Sequence, residues 1–278
     1  MKKLLVAVAT LGVSTLLTAC GAGGDSDTTT VRVGLVGAFS SQWNLVQDIL
    51  DEQGYNIQIE QVHFTDFITP NLALNDGDLD LNAFQTLNFF EHEIQVNGYE
   101  LEAIGWTTIS PLSLFPNPDR VSSLDDFEQG STIGIPQDPT NASRALRFLA
   151  SIGLLTLDSG NSGIVSELDI VSNPRELNFL LLESGMLAGV LADIDGAVIN
   201  AGNAVSAGLS PANDSLIRED ISDPSMAQFN NLIAARTLDV VAGGPRLEAF
   251  EAIVRAFNTD RVAEHIVTTY EGAFLPIW

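Results

Sequence analysis

An α/β protein of two lobes is the fold class this sequence predicts, and three observations predict it. An apolar run, an amphipathic helix pattern and a second apolar run open the folded part of the chain, a strand–helix–strand start. Extended runs broken by Pro111, Pro116 and Pro118 then read as a crossover into a second strand–helix series. Finally, the apolar strand NNLIAAR within Met226–Arg236 reads as carrying the chain back to the first lobe, with Asn231 at its start.

Taken in order, Val31–Val36 is a strand ending at Gly37. Ser40–Gln53 follows as a helix with Trp43, Val46, Ile49 and Leu50 on one face, stopped by Gly54. Asn56–Phe64 is the second strand. Asp66–Leu74 is a short helix with Pro70 inside it, and Asn75–Asp78 is a turn into a third strand, Leu79–Phe84. Phe84 therefore falls at the carboxyl end of a strand, where open α/β sheets bind ligands, and Phe89 and Phe90 lie on the next helix. Asp76, Asp78 and Asp80 resemble half of a calcium loop but lack its Gly and its closing Glu, so they read as a solvated turn.

Leu101–Ile109 and Leu112–Phe115 are the extended crossover runs. In the second lobe Ser123 caps a short helix, Leu124–Gln129, which Gly130 ends, and Thr132–Pro136 is a strand. Glu167–Val171, Phe179–Leu182 and Gly196–Asn200 are further strands, with Glu183 and Asn200 at the ends of two of them. Pro245–Asn258 is the clearest helix, with Leu247, Phe250, Val254 and Phe257 at core spacing; Asp260–Tyr270 is another. Gly272–Trp278 closes the chain.

Residues 1–19 stand apart. Lys2 and Lys3 precede an apolar run too short to span a bilayer comfortably, and Leu17-Thr18-Ala19-Cys20 reads as a lipobox with Cys20 as the acylated residue. Cys20 is the one cysteine in the chain, so no internal disulfide forms. Lipid chains on this residue supply stable membrane attachment, and residues 20–30 are a small, polar tether. The expected location is extracytoplasmic, held at the cell membrane by lipid.

With 36 acidic against 12 basic residues the formal charge is −24, and both lysines sit in the leader, so every base after it is an arginine. Such a surface repels nucleic acid and anionic membranes. No nucleophile elbow, P-loop, dinucleotide fingerprint or HExxH pattern is present, and His63, His92 and His265 lie far apart, so no metal site, cofactor or catalytic machinery is expected.

The stretch Gly134–Arg147 carries the strongest site signal. A strand end runs through a Pro-bounded loop into a helix, whose N-terminus favours anions. Arg144, placed by this reading in the first turn, has the wrong sign there. Two readings stand side by side: a ligand carboxylate gripped by Arg144, with Thr140 and Asn141 donating, or a pair between Arg144 and one of the chain's own acids.

Several motifs together carry a family resemblance: Asp66-x-x-x-Pro70-Asn71-x-Ala73-Leu74, Gly77-Asp78-x-Asp80-x-Asn82-Ala83-Phe84-Gln85, Ser123-Leu124-Asp125, Pro136-x-Asp138-Pro139-Thr140-Asn141-x-x-Arg144, Ala197-Val198-Ile199-Asn200 and Asn231-Leu232-Ile233. Over essentially its whole mature length the chain resembles the NlpA-type lipoproteins, the methionine-binding (MetQ-type) components of ABC importers. The resemblance implies a type II periplasmic-binding-protein fold, two lobes joined by two hinge strands with the ligand cleft between, here residues 31–108 plus 232–278 and residues 109–231. It implies a non-enzymatic protein that binds methionine or a similar small apolar amino acid and delivers it to an ABC permease. Arg144 with Asn141 would hold the ligand carboxylate, Asn200 and Asn231 its backbone, and Phe84 would line the side-chain pocket.

Departures from the family pattern fall around that pocket. Phe67 and Phe89 replace tyrosines, Thr86 replaces a histidine, and Asn200-Ala201-Gly202-Asn203 stands where the family has Asn-Thr-Thr-Tyr. The pocket is expected to be less polar, and such a pocket separates close analogues by only about 1–3 kcal/mol per methylene. Leucine-like or other thioether ligands, another cargo such as a dipeptide, and an extracytoplasmic enzyme are the alternatives.

The acidic surface generates a first prediction. Self-repulsion is relieved by screening, so the melting temperature rises as salt is added, as expected of a protein from a saline habitat. A melting temperature flat or falling with salt contradicts this.

Overall fold

A computed structural model describes residues 28–241, 244 and 246–278. The leader, Cys20, most of the tether and Pro245 lie outside the described residues.

In β1 (Thr29–Val36) Val31, Val33 and Leu35 are fully buried, and the strand pairs in parallel with β2 (Ile57–Phe64) across α1 (Gln42–Glu52). Helix α1 buries Trp43, Val46, Ile49 and Leu50, the face its spacing predicts. Then come α2 (Thr69–Asp76), β3 (Leu81–Asn82), α3 (Leu87–Asn97) and β4 (Leu101–Ile109). Residues 110–112 cross into a second sheet, which begins with β5 (Ser113–Pro116) and β6 (Thr132–Pro136). Helix α4 (Pro139–Ser151) leads to β7 (Thr156–Leu157), β8 (Ile170–Ser172), β9 (Asn178–Leu182) and β10 (Gly196–Ile199). After α5 (Ala201–Ser206) and β11 (Ile217–Arg218), residues 219–229 return the chain to β12 (Asn230–Arg236). Helices α6 (Thr237–Val240), α7 (Leu247–Phe257) and α8 (Asp260–Thr269) and strand β13 (Leu275–Pro276) complete the first unit.

The first sheet runs β13-β4-β12-β3-β1-β2 and the second β11-β5-β10-β6-β9. Each has apolar clusters on both faces: Trp43, Phe250 and Phe257 lie in one and Leu74, Phe90 and Leu232 in the other on the first sheet, Phe127 and Phe148 against Phe115 and Leu187 on the second. That is the layering of helices on both faces of a mixed sheet: β1, β2 and β3 run parallel in the first and β6, β9 and β10 in the second, with the other strands antiparallel.

Several expectations need correction. Pro70 lies in the first turn of α2, not inside a helix, because Asp66 Oδ1 accepts from Ile68 N and Thr69 N and starts the helix later. The third strand is two residues long, leaving Phe84 beyond it. The helix expected over Leu124–Gln129 is a single 3-10 turn, Leu124–Asp126, closed by a capping box with Ser123. Glu167–Asp169 is likewise a turn, and the strand after it pairs only with β7, outside the main sheet. The acidic turn is not wholly solvated: Asp80 is 2% exposed and accepts from Arg32 N at 2.8 Å, with Arg246 Nη1 at 3.2 Å, Arg32 Nε at 3.4 Å and Arg236 Nη2 at 3.7 Å. Three guanidinium groups compensate the desolvation of one carboxylate. The tether ends before Thr29, where β1 begins.

Candidate functional site

Helix α4 sets the chemistry of the region between the two sheets. Pro139 opens it and Asp138 is its N-cap, so Arg144 is the sixth helical residue, in the second turn rather than the first. Asp138 Oδ1 accepts from Asn141 N at 2.9 Å and from Thr140 Oγ1 at 2.9 Å. The anion-seeking end of the helix is thus already served by a carboxylate of its own chain.

Arg144 is also served. Its side chain is 4% exposed and forks onto Glu219, with Nε 3.1 and 3.2 Å from the two oxygens and Nη2 2.5 Å from Oε2. Nη2 donates to Ser110 O at 3.0 Å, and the guanidinium lies 4.1 Å from the centre of the Phe229 ring. Leu112 N donates to Glu219 Oε2 at 3.0 Å. Of the two readings open to Arg144, the pair with one of the chain's own acids is present, and only Nη1 makes no hydrogen bond among the described residues.

All eight predicted pocket residues meet around one cleft between the sheets. One end is aromatic. Phe67 and Phe84 stack at 6.1 Å between centroids, and Phe89 stands edge-on to both at 6.2 Å. Thr86, the N-cap of α3, borders them and accepts from Phe89 N. The other end is polar, with Asn141, Arg144, Asn200 and Asn231. Asn141 does not offer free donors there, since its Nδ2 donates to both oxygens of Asp138 at 3.0 and 3.1 Å. Its Oδ1 instead accepts from Asn200 Nδ2 at 2.8 Å, which turns Asn200 Oδ1 into a buried acceptor with no partner. Asn231 Nδ2 donates to Thr108 O at 3.1 Å and Ser110 Oγ at 3.3 Å, tying the two connecting strands. Thr140, the other expected donor, faces a separate groove.

The two units touch beside the cleft. Gly37, at φ +73°, lies so close to Gly202 that an added Cβ would meet its carbonyl at 3.0 Å, and Ala38 N donates to Gly202 O. Among the described residues no three His, Cys, Asp or Glu converge as metal ligands, and no helix is long and apolar enough to cross a membrane.

The family model described as NlpA lipoprotein matches residues 31–278. The chain belongs to the NlpA lipoprotein family. Among its relatives in this family, the "D-methionine-binding lipoprotein MetQ" of Salmonella typhi is 34% identical, over 99% of this chain and 98% of its own. "Outer membrane lipoprotein 3" of Mannheimia haemolytica is 33% identical over the full length of both. Two solved NlpA-like structures superpose closely. The nutrient binding protein of Burkholderia cenocepacia bound to methionine has a TM-score of 0.80 at 32% identity, covering 89% of this chain and all of its own. The substrate binding protein of a methionine transporter from Streptococcus pneumoniae has a TM-score of 0.83 at 32%, covering 90% and 96%. The two-lobed substrate-binding fold is common to them and to this chain.

What sequence reading missed is the partnership of this NlpA-family site with the crossovers. Glu219 is 75 residues from Arg144 and one of 36 acids, so nothing local marked it. Glu93 went unnoticed too. It is 6% exposed on α3, which packs on α4, and burial first and the negative charge of Asp138 second hold its carboxyl above its ordinary value of 4.5.

An acid whose folded pKa exceeds its unfolded one lowers stability wherever it is ionised. That cost is largest above the folded pKa and vanishes below the unfolded one. Glu93→Gln therefore melts above the wild type at pH 8, and the gap closes by about pH 4. A gap that stays constant across this range contradicts the assignment.

Proposed function

We propose that this protein is the lipid-anchored solute-binding component of an ABC importer, taking up a free, net-neutral amino acid with an apolar side chain, methionine or a close analogue. The observation that carries this reading is the division of one cleft into an aromatic end and a polar end. Three phenylalanine rings suit an unbranched thioether or alkyl side chain, and the polar end suits an amino-acid head group. Because Glu219 balances Arg144, the site carries no spare positive charge, and a zwitterion leaves none unbalanced. The relatives that bind methionine support the same cargo.

In this proposal Arg144 meets the ligand carboxylate with Nη1, the nitrogen Glu219 leaves over. Asn200 Oδ1 accepts from the ligand ammonium, having been turned toward it by Asn141. Asn231 holds the hinge edge of the head group, while Phe67, Phe84, Phe89 and Thr86 surround the side chain. Lobe 1 comprises residues 31–108 plus 232–278 and lobe 2 residues 109–231. The ligand bridges them, and its greater affinity for the closed form shifts the population to it. Binding and release involve no bond-making, so the protein acts without enzymatic turnover. Cys20, acylated and left at the N-terminus once residues 1–19 are cut away, holds the body at the outer side of the membrane within reach of the permease.

Wild-type protein with L-methionine at 100 times its Kd gains about 2.7 kcal/mol of stability and melts higher. Arg144→Ala abolishes that gain. It also lowers the ligand-free stability by about 3–5 kcal/mol, because Glu219 stays buried without its counter-charge. A full ligand-induced rise in Arg144→Ala overturns the carboxylate role, and no rise in the wild type with any neutral amino acid overturns the function.

A further inference from the structure

The cleft wall built by α5 carries a second orphaned polar atom. Asn203 is 9% exposed and lines the cleft, and its Nδ2 has no hydrogen-bond partner. It lies three residues beyond Asn200, the N-cap of α5, and both line the cleft. The two atoms differ in kind: Asn200 Oδ1 accepts, whereas Asn203 Nδ2 donates. A buried N–H without a partner is costly, so a wall that keeps one is built for a guest that brings an acceptor.

The surroundings of Asn203 indicate which part of the guest brings it. Asn200, Asn141 and Asp138 form one bonded chain at the polar end, and Asn203 is outside it. Gly202, the residue before Asn203, faces an aromatic wall of the cleft. A Cβ built on Gly202 lies 3.8 Å from Phe274 Cζ, and Phe274 stacks on Phe39 at 4.3 Å; both rings line the cleft. The donor therefore belongs to the part of the cleft that a ligand side chain reaches. We infer that Asn203 is a specificity-determining residue, whose Nδ2 donates to a hydrogen-bond acceptor in the side chain of the bound amino acid. The preferred cargo is an α-amino acid whose side chain is apolar in its stem and carries an acceptor, a sulfoxide or carbonyl oxygen ahead of a thioether sulfur, and a thioether ahead of a plain hydrocarbon.

This inference rests on the amino-acid site proposed above, and its test separates the two. Calorimetric titration of the purified protein with L-methionine sulfoxide, L-methionine and L-norleucine offers a strong, a weak and no side-chain acceptor on similar stems. The expected order of affinity is sulfoxide, methionine, norleucine, with about tenfold or more between the ends, the cost of leaving one buried donor unpaired. In Asn203→Leu that ratio collapses, chiefly through loss of sulfoxide affinity. Norleucine binding the wild type as tightly as the sulfoxide overturns the inference while leaving the function intact, and needs no variant to fold. Equal weakening of all three ligands by Asn203→Leu, or a ratio that survives it, overturns it as well, the first by assigning Asn203 to the head group. Failure of all three to bind the wild type removes the proposed function itself.

Discussion

A single buried ion pair, Arg144 with Glu219, is the constraint on which the rest of the site depends. Arg144 belongs to a helix of the second sheet, Glu219 to the return crossover, and Ser110 and Leu112, which also bond to the pair, to the outward crossover. Both connections between the lobes are thereby fastened to α4. Removing either charge leaves the other desolvated, so the pair behaves as one unit. Beside the pair, Asn231 on the return strand bonds Thr108 and Ser110 on the outward one. The same pair fixes the charge balance of the cleft, which is why the proposed cargo is a zwitterion.

Much of the fold was legible in the sequence because local pattern determines it. The burial of Trp43, Val46, Ile49 and Leu50, and of Phe250 and Phe257, follows from helical spacing alone. Strand NNLIAAR returned to the first sheet as read. The misreadings arose where a side chain competes with the backbone pattern. Asp66 delays α2, and Ser123 with Asp126 closes a turn after three residues. Asp80 sits in a stretch that reads as turn and is buried because distant arginines reach it.

The same division holds at the site. Its eight residues were named from motifs, and they meet at one cleft. Their hydrogen-bond assignments were not legible, because these depend on partners far along the chain. Asn141 reads as a donor to a guest, yet its amide is committed to Asp138 and its oxygen to Asn200. Arg144 reads as a cation in search of an anion, and a pair within the chain already engages its Nε and Nη2.

A charge-balanced cleft for a zwitterion is the central claim, and the cargo itself tests it most directly. Mass spectrometry of small molecules released on denaturing protein purified from its native membrane identifies what the cleft held. The account predicts about one equivalent of a free, net-neutral amino acid with a largely apolar side chain. One equivalent of an acidic amino acid, a dicarboxylate or another net-charged ligand contradicts it, because nothing in the cleft would balance the added charge.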